Sequence, residues 1–126
     1  MKILSETELE KLVQIEEGDA SETARLLWDE NPIHHKPDSD GRIVYPGTGL
    51  IAIAEGMIRR INKFEGPLNK DVSFNFSDLV YEGDILKFTR RRIQKDVAIE
   101  RQGIPIANFS LSSTKDLEKY GNLILK

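Results

Sequence analysis

Between Thr48 and Ile61 the chain carries one broad apolar helical stretch, and the residues that follow alternate like β-strands. Leu50, Ile51, Ile53, Ala54, Met57, Ile58 and Ile61 form a wide apolar face, and residues 50–54 are apolar on all sides. A helix of that kind is buried over its N-terminal half. Arg59, Arg60 and Lys63 crowd its C-terminal end, where cations suit the macrodipole. Gly56 in its middle costs about 1 kcal/mol against alanine and marks a place for a close contact. Downstream, Val72, Phe74 and Phe76 alternate with Ser73, Asn75 and Ser77. Glu82-Gly83-Asp84 is a turn, after which Leu86 and Phe88 alternate with Lys87 and Thr89 and lead into Arg90-Arg91-Arg92. Val97-Ala98-Ile99 and Ile104 to Phe109 flank Gln102-Gly103, a hairpin signal, and the last strand runs to about Ser113. One buried helix followed by consecutive antiparallel strands predicts an α+β fold with a sheet packed on a central helix.

Upstream of that helix the signals are shorter. Ser5 with Glu8 makes a capping-box pattern and predicts a short helix over residues 5–13. Asp19 with Glu22 repeats it and predicts a helix from about Ala20 to Trp28. Val13-Gln14-Ile15-Glu16 alternates and reads as a strand. Residues 29–47 are turn-rich, with Asn31-Pro32, Lys36-Pro37-Asp38, Asp40-Gly41 and Pro46-Gly47. A loop of that length in a compact domain is uncommon and is often functional.

Composition narrows the chemistry that loop can host. The chain has 126 residues, about one domain, and no cysteine, which removes disulfides, thiolate metal sites and thiol nucleophiles. Its only histidines, His34 and His35, are adjacent and lie in the loop. A net charge of −3 gives no support to a nucleic-acid partner. No apolar run approaches the ~20 residues of a membrane span. The start, Met1-Lys2-Ile3-Leu4-Ser5-Glu6, turns acidic too early for a secretory signal, so a cytoplasmic location is expected. A single domain of this size has a large surface for its core, which favours oligomerisation.

Within the loop, Asp29 stands at the end of a helix, five residues before His34, and Pro32 restricts the backbone between them. An ionised carboxylate and an imidazole aimed at one point suit general acid–base chemistry. A metal site from Asp29, His34 and His35 lacks a recognisable ligand spacing, and no metal is expected there. Surface-loop roles for Asp29 and His34 are the simple alternative, and His35 reads as a bystander.

Asp29-Glu30-Asn31-Pro32-Ile33-His34 resembles the D-x-N-P-[IL]-H signature of the MaoC-like (R)-specific enoyl-CoA hydratases and the related hydroxyacyl-thioester dehydratases, which have the hotdog fold. The resemblance runs over about residues 12–114. It takes in the helix before the motif, Arg42 to Gly47 before the central helix, and the strand and "V-x-x-G-D" turn from Phe74 to Asp84. It implies one hotdog domain over residues 1–126, with the tail 115–126 unplaced, and a homodimer or dimer-based oligomer. The implied reaction is water addition to a trans-2-enoyl thioester of CoA or acyl carrier protein, without metal or redox cofactor. Asp29 is then the base that activates water, His34 the acid at C2, and Gly47 the backbone oxyanion donor, with Asn31 in support. A helix N-terminus suits that donor role independently, and glycine allows close approach. Trp28, Tyr45, Arg90 and Arg92 are the candidate substrate-binding side chains, the arginines for carrier phosphates. The chain departs from the pattern where Leu27-Trp28 replaces the usual Ser-Gly before the aspartate, and where the segment from His34 to Gly47 is several residues shorter. A hotdog acyl-CoA thioesterase and a non-catalytic acyl-binding hotdog subunit are the alternatives.

Overall fold

Alternating strands with one apolar side need something to cover that side, and the long apolar helix does so. The computed structural model describes residues 1–62, 70–91 and 96–113. In chain order the elements are β1 (Lys2–Glu6), β2 (Glu10–Gln14), α1 (Asp19–Leu26), one 3-10 turn (Pro32–His34), α2 (Gly47–Asn62), β3 (Lys70–Phe76), β4 (Ile85–Arg90), β5 (Asp96–Arg101) and β6 (Ile104–Ser113). The strands form one six-stranded antiparallel sheet in the order β1-β2-β4-β5-β6-β3. α2 packs on β4, β5 and β6. Leu50, Ala54 and Ile58 from the helix share a core with Phe88, Ile99 and Phe109 from those strands. The residues Arg92 and Lys115 to Lys126 lie outside the described residues.

The C-terminal half follows the sequence pattern closely. Leu86 and Phe88 face inward on β4 while Lys87 and Thr89 stay partly exposed. Gln102 and Gly103 both take positive φ, 54° and 76°, the backbone that a two-residue hairpin with matching twist requires.

The N-terminal half differs. Residues 5–13 are not a helix but the turn and arms of the β1–β2 hairpin. The Thr7 hydroxyl accepts the Glu10 N–H at 3.0 Å, so local side-chain bonding closes a turn inside the stretch expected to be helical. β2 pairs along β4, with Val13 opposite Leu86, and Val13 and Ile15 enter the core. Tertiary pairing of a period-two pattern thus overrides the helix signal.

α1 also starts differently. Gly18 takes the cap position with φ 91°, and Asp19 is the first helical residue, its carboxylate accepting the Glu16 N–H at 2.7 Å. The free N–H groups of Gly18 and Ala20 donate to Oε2 of Glu82, at 2.9 and 3.0 Å. A carboxylate from the distant turn therefore caps this helix and opposes its positive end. That turn is itself held by Arg101, which donates to the Leu79 carbonyl, to Asp84 and to Asp78.

Two of the three glycines of α2, Gly49 and Gly56, sort by environment. A Cβ on Gly49 would come within 2.6 Å of the Tyr45 hydroxyl and 2.8 Å of its ring, so the tyrosine lies directly on this glycine. A Cβ on Gly56 would meet nothing within 4 Å, which corrects the expectation of a close contact there. Gly49→Ala should lose about 1–3 kcal/mol of stability by overpacking. Gly56→Ala should gain about 0.5–1 kcal/mol from helix propensity. Urea denaturation of the two variants checks the pair, and equal effects of the same sign would contradict this packing.

Candidate active site

α1 ends in a way that aims the next residue. The N–H of Asp29 donates to the Ala24 carbonyl at 2.8 Å and that of Trp28 to the Arg25 carbonyl at 3.2 Å. These are the two bonds of a Schellman ending, with Trp28 in the left-handed position that glycine usually fills. Its φ is 58°. A side chain there costs about 1–2 kcal/mol. Trp28 is also 92% exposed, so it does not staple the helix to the core.

From that ending the chain turns on its own side chains. Asp29 Oδ1 accepts the Asn31 N–H at 3.0 Å, and Asn31 Oδ1 accepts the Ile33 N–H at 3.2 Å. Pro32 opens the 3-10 turn, where its missing N–H costs nothing. The turn delivers His34 inward, 6% exposed, with Nε2 3.2 Å from Asp29 Oδ2. The Asp29 side chain is 36% exposed, so one member of the pair is open and the other enclosed.

The protonation of the pair follows from its partners. Nδ1 of His34 is 2.7 Å from the Val44 carbonyl, which can only accept, so Nδ1 carries a hydrogen. Nε2 then meets a carboxylate oxygen, and two lone pairs facing each other would repel. A hydrogen between Nε2 and Oδ2 removes that repulsion, so the geometry sets an imidazole and a carboxylate in direct hydrogen-bond contact.

Val44 also ties this loop to the helix entry. Its N–H donates to the Ile33 carbonyl at 3.0 Å, and the N–H of Tyr45 donates to the Val80 carbonyl at 2.8 Å. Gly47 follows three residues after Val44 as the first residue of α2, where N–H groups have no partner within the helix. A Cβ on Gly47 would meet only open space. The loop before it is braced by Asp38, whose carboxylate accepts the N–H groups of Arg42 and Asp40, both at 2.9 Å. The bond from Arg42 is the larger cause that holds this carboxyl below its ordinary pKa.

The remaining candidates fall in different places. Asp29, Asn31 and His34 are brought together, and Trp28 borders a shallow depression of about 440 Å³ with Arg25, Asp29, Glu30 and His35. Tyr45 is instead a core side chain, 4% exposed, with the Thr23 hydroxyl 3.4 Å from its own. Burial is the first cause that pushes its phenol upward, so it stays protonated at neutral pH. Arg90 occupies the next inward position after Leu86 and Phe88 and is 4% exposed, which withdraws it from a carrier phosphate. Arg92 lies outside the described residues. Sequence reasoning missed the Val44 carbonyl, because a backbone acceptor leaves no residue signal. It also missed His35, whose ring bonds to Ser21 and to the Asp29 carbonyl.

No family model and no curated protein matches the sequence. Solved structures do match. The (R)-hydratase from A. caviae involved in PHA biosynthesis superposes with a TM-score of 0.61 at 18% identity, over 86% of this chain and 92% of that one. Protein af1124 from Archaeoglobus fulgidus gives 0.59 at 18% identity, over 87% and 80%. A chain of the C-terminally truncated HadBC (3R-hydroxyacyl-ACP dehydratase) complex from Mycobacterium tuberculosis gives 0.54 at 15%, over 80% and 90%. The chain has the single hotdog fold.

In this hotdog the long helix is α2, and the Asp29–His34 pair sits on the loop that precedes it. Among the described residues no group of three or more His, Asp or Glu side chains converges to hold a metal ion. No described helix is long and apolar enough to cross a membrane.

The strained Schellman ending is directly testable. Trp28→Gly should raise stability by about 1 kcal/mol, since it relieves a left-handed side chain and removes no buried surface. Chemical denaturation measures it, and a loss of stability would show that Trp28 makes contacts the monomer structure lacks.

Proposed function

We propose that this hotdog protein adds water to trans-2-enoyl thioesters of CoA or acyl carrier protein, and removes it in reverse, with (R)-3-hydroxyacyl thioesters as the hydrated product. The observation that carries this reading is the pairing of His34 Nε2 with Asp29 Oδ2 while Nδ1 is spoken for by Val44. It supplies a base and an acid side by side, with a proton already on the pair. The structural likeness to an (R)-hydratase and to a 3R-hydroxyacyl-ACP dehydratase supports the same chemistry.

The steps balance on these groups. The Asp29 carboxylate takes a proton from water as its oxygen attacks C3. Electron density moves into the thioester carbonyl, where the Gly47 N–H at the α2 N-terminus stabilises the enolate oxygen. His34 Nε2 gives its proton to C2. Asp29 is then protonated and His34 neutral, and their direct contact lets the proton return and reset the pair. Asn31 holds the turn that keeps both groups in register. The substrate partner is an acyl-CoA or acyl carrier protein, and the working unit is a homodimer or dimer-based oligomer. The exposed side chains of Leu26, Leu27 and Ile33 around the site support a covering partner.

Crotonyl-CoA tests the reading. The protein should abolish the absorbance of the conjugated double bond without releasing thiol. Asp29→Asn should reduce the rate by about 10²–10⁴-fold, the usual worth of a positioned base. Thiol release by the wild type would instead mark a thioesterase, and full turnover by Asp29→Asn would overturn the assignment of the base.

A further inference from the structure

His35 stands next to the acid–base pair, and its ring is engaged at both nitrogens. Nε2 is 3.1 Å from the main-chain carbonyl of Asp29, and Nδ1 is 2.8 Å from the Ser21 hydroxyl on α1. The carbonyl can only accept, so Nε2 carries the hydrogen of the neutral ring. Nδ1 is then a lone pair, and Ser21 donates its hydroxyl to it. The result is a directed chain of donors from Ser21 through His35 to the Asp29 carbonyl. It bridges the first turn of α1 and both ends of the segment 29–35.

We propose that Ser21 and His35 form a clamp that fixes the main chain of Asp29, with His35 as a positioning residue for the reaction. Every other polar group of the aspartate is already assigned. Its N–H donates to Ala24, its Oδ1 accepts from Asn31, and its C=O accepts from His35. Oδ2 is thereby left facing His34. Rotation of the peptide after Asp29 would break the His35 contact and swing the carboxylate away from the imidazole. The residue before Asp29 is a strained tryptophan, so the approach to this carboxylate carries a cost that the clamp helps to hold. The kinetic part of the proposal rests on the hydratase reading above; the clamp itself does not.

The two histidines make the test direct, because an imidazole ¹⁵N spectrum of the folded protein contains two rings only. The expected result is an Nε2–H tautomer for neutral His35 and an Nδ1–H for His34, with Ser21→Ala shifting the His35 Nδ1 resonance. In crotonyl-CoA hydration, His35→Ala should lower kcat by about 10–100-fold, the scale of a displaced catalytic group, while KM changes little. His35→Gln, whose amide N–H reaches the same carbonyl, should restore most of the loss. Ser21→Ala, which removes one hydroxyl, should lower kcat in the same direction and less. An Nδ1–H tautomer at His35 overturns the clamp. Wild-type kcat in a folded His35→Ala protein overturns the positioning role. A wild type that hydrates no enoyl thioester overturns the hydratase reading instead, and the tautomer measurement then decides the clamp alone.

Discussion

The site depends on one hydrogen bond, from His34 Nδ1 to the Val44 carbonyl at 2.7 Å. It does three things at once. It anchors the 3-10 turn to the segment that enters the central helix. It fixes the tautomer of an enclosed imidazole, because a carbonyl offers no hydrogen. By doing so it turns Nε2 toward the Asp29 carboxylate, 3.2 Å away. The hotdog frame matters here as the support for Val44, which is held by Ile33 on one side while the next residue is held by Val80 on the other. A rigid sheet and a buried helix thus serve to place one backbone oxygen.

A second line of support reaches the same loop from further away. Arg101 on β5 braces the turn before β4, and Glu82 in that turn caps α1. α1 in turn carries Ser21 on its first turn and Asp29 just beyond its end. Asp29 therefore inherits its position from residues more than fifty positions away in sequence. The exposed Trp28, with its left-handed backbone, works against stability here. A tryptophan in a left-handed helix ending, 92% exposed, gains nothing from the monomer's core to offset its backbone strain.

Much of this was legible in the sequence, and the failures share a cause. The central helix, the four C-terminal strands and the Gln102-Gly103 hairpin are written in local periodicity and turn chemistry, so they read correctly. The Asp29–His34 pair is legible because both residues sit on one short, Pro-stiffened turn. The N-terminal hairpin was misread because Ser5 and Glu8 form a plausible cap; the alternation from Val13 reads as a strand, but only pairing with β4 carries that strand back to Glu10. The cap of α1 was misread for a similar reason: Asp19 and Glu22 are local, while Glu82 is not. Arg90 and Tyr45 look available in sequence, yet the pleat and the packing on Gly49 turn them inward. Contacts between distant residues decide the hairpin and the cap, while the pleat and a neighbour four positions away decide Arg90 and Tyr45.

In the proposed reaction Asp29 and His34 together move one proton while water is added across a double bond. The most direct measurement is the product formed from crotonyl-CoA by the wild-type protein in D₂O, read by mass spectrometry and NMR. The expected product is (R)-3-hydroxybutyryl-CoA carrying one solvent deuterium at C2, formed with the thioester intact. Recovery of unchanged crotonyl-CoA, or of crotonate and free CoA, would contradict it.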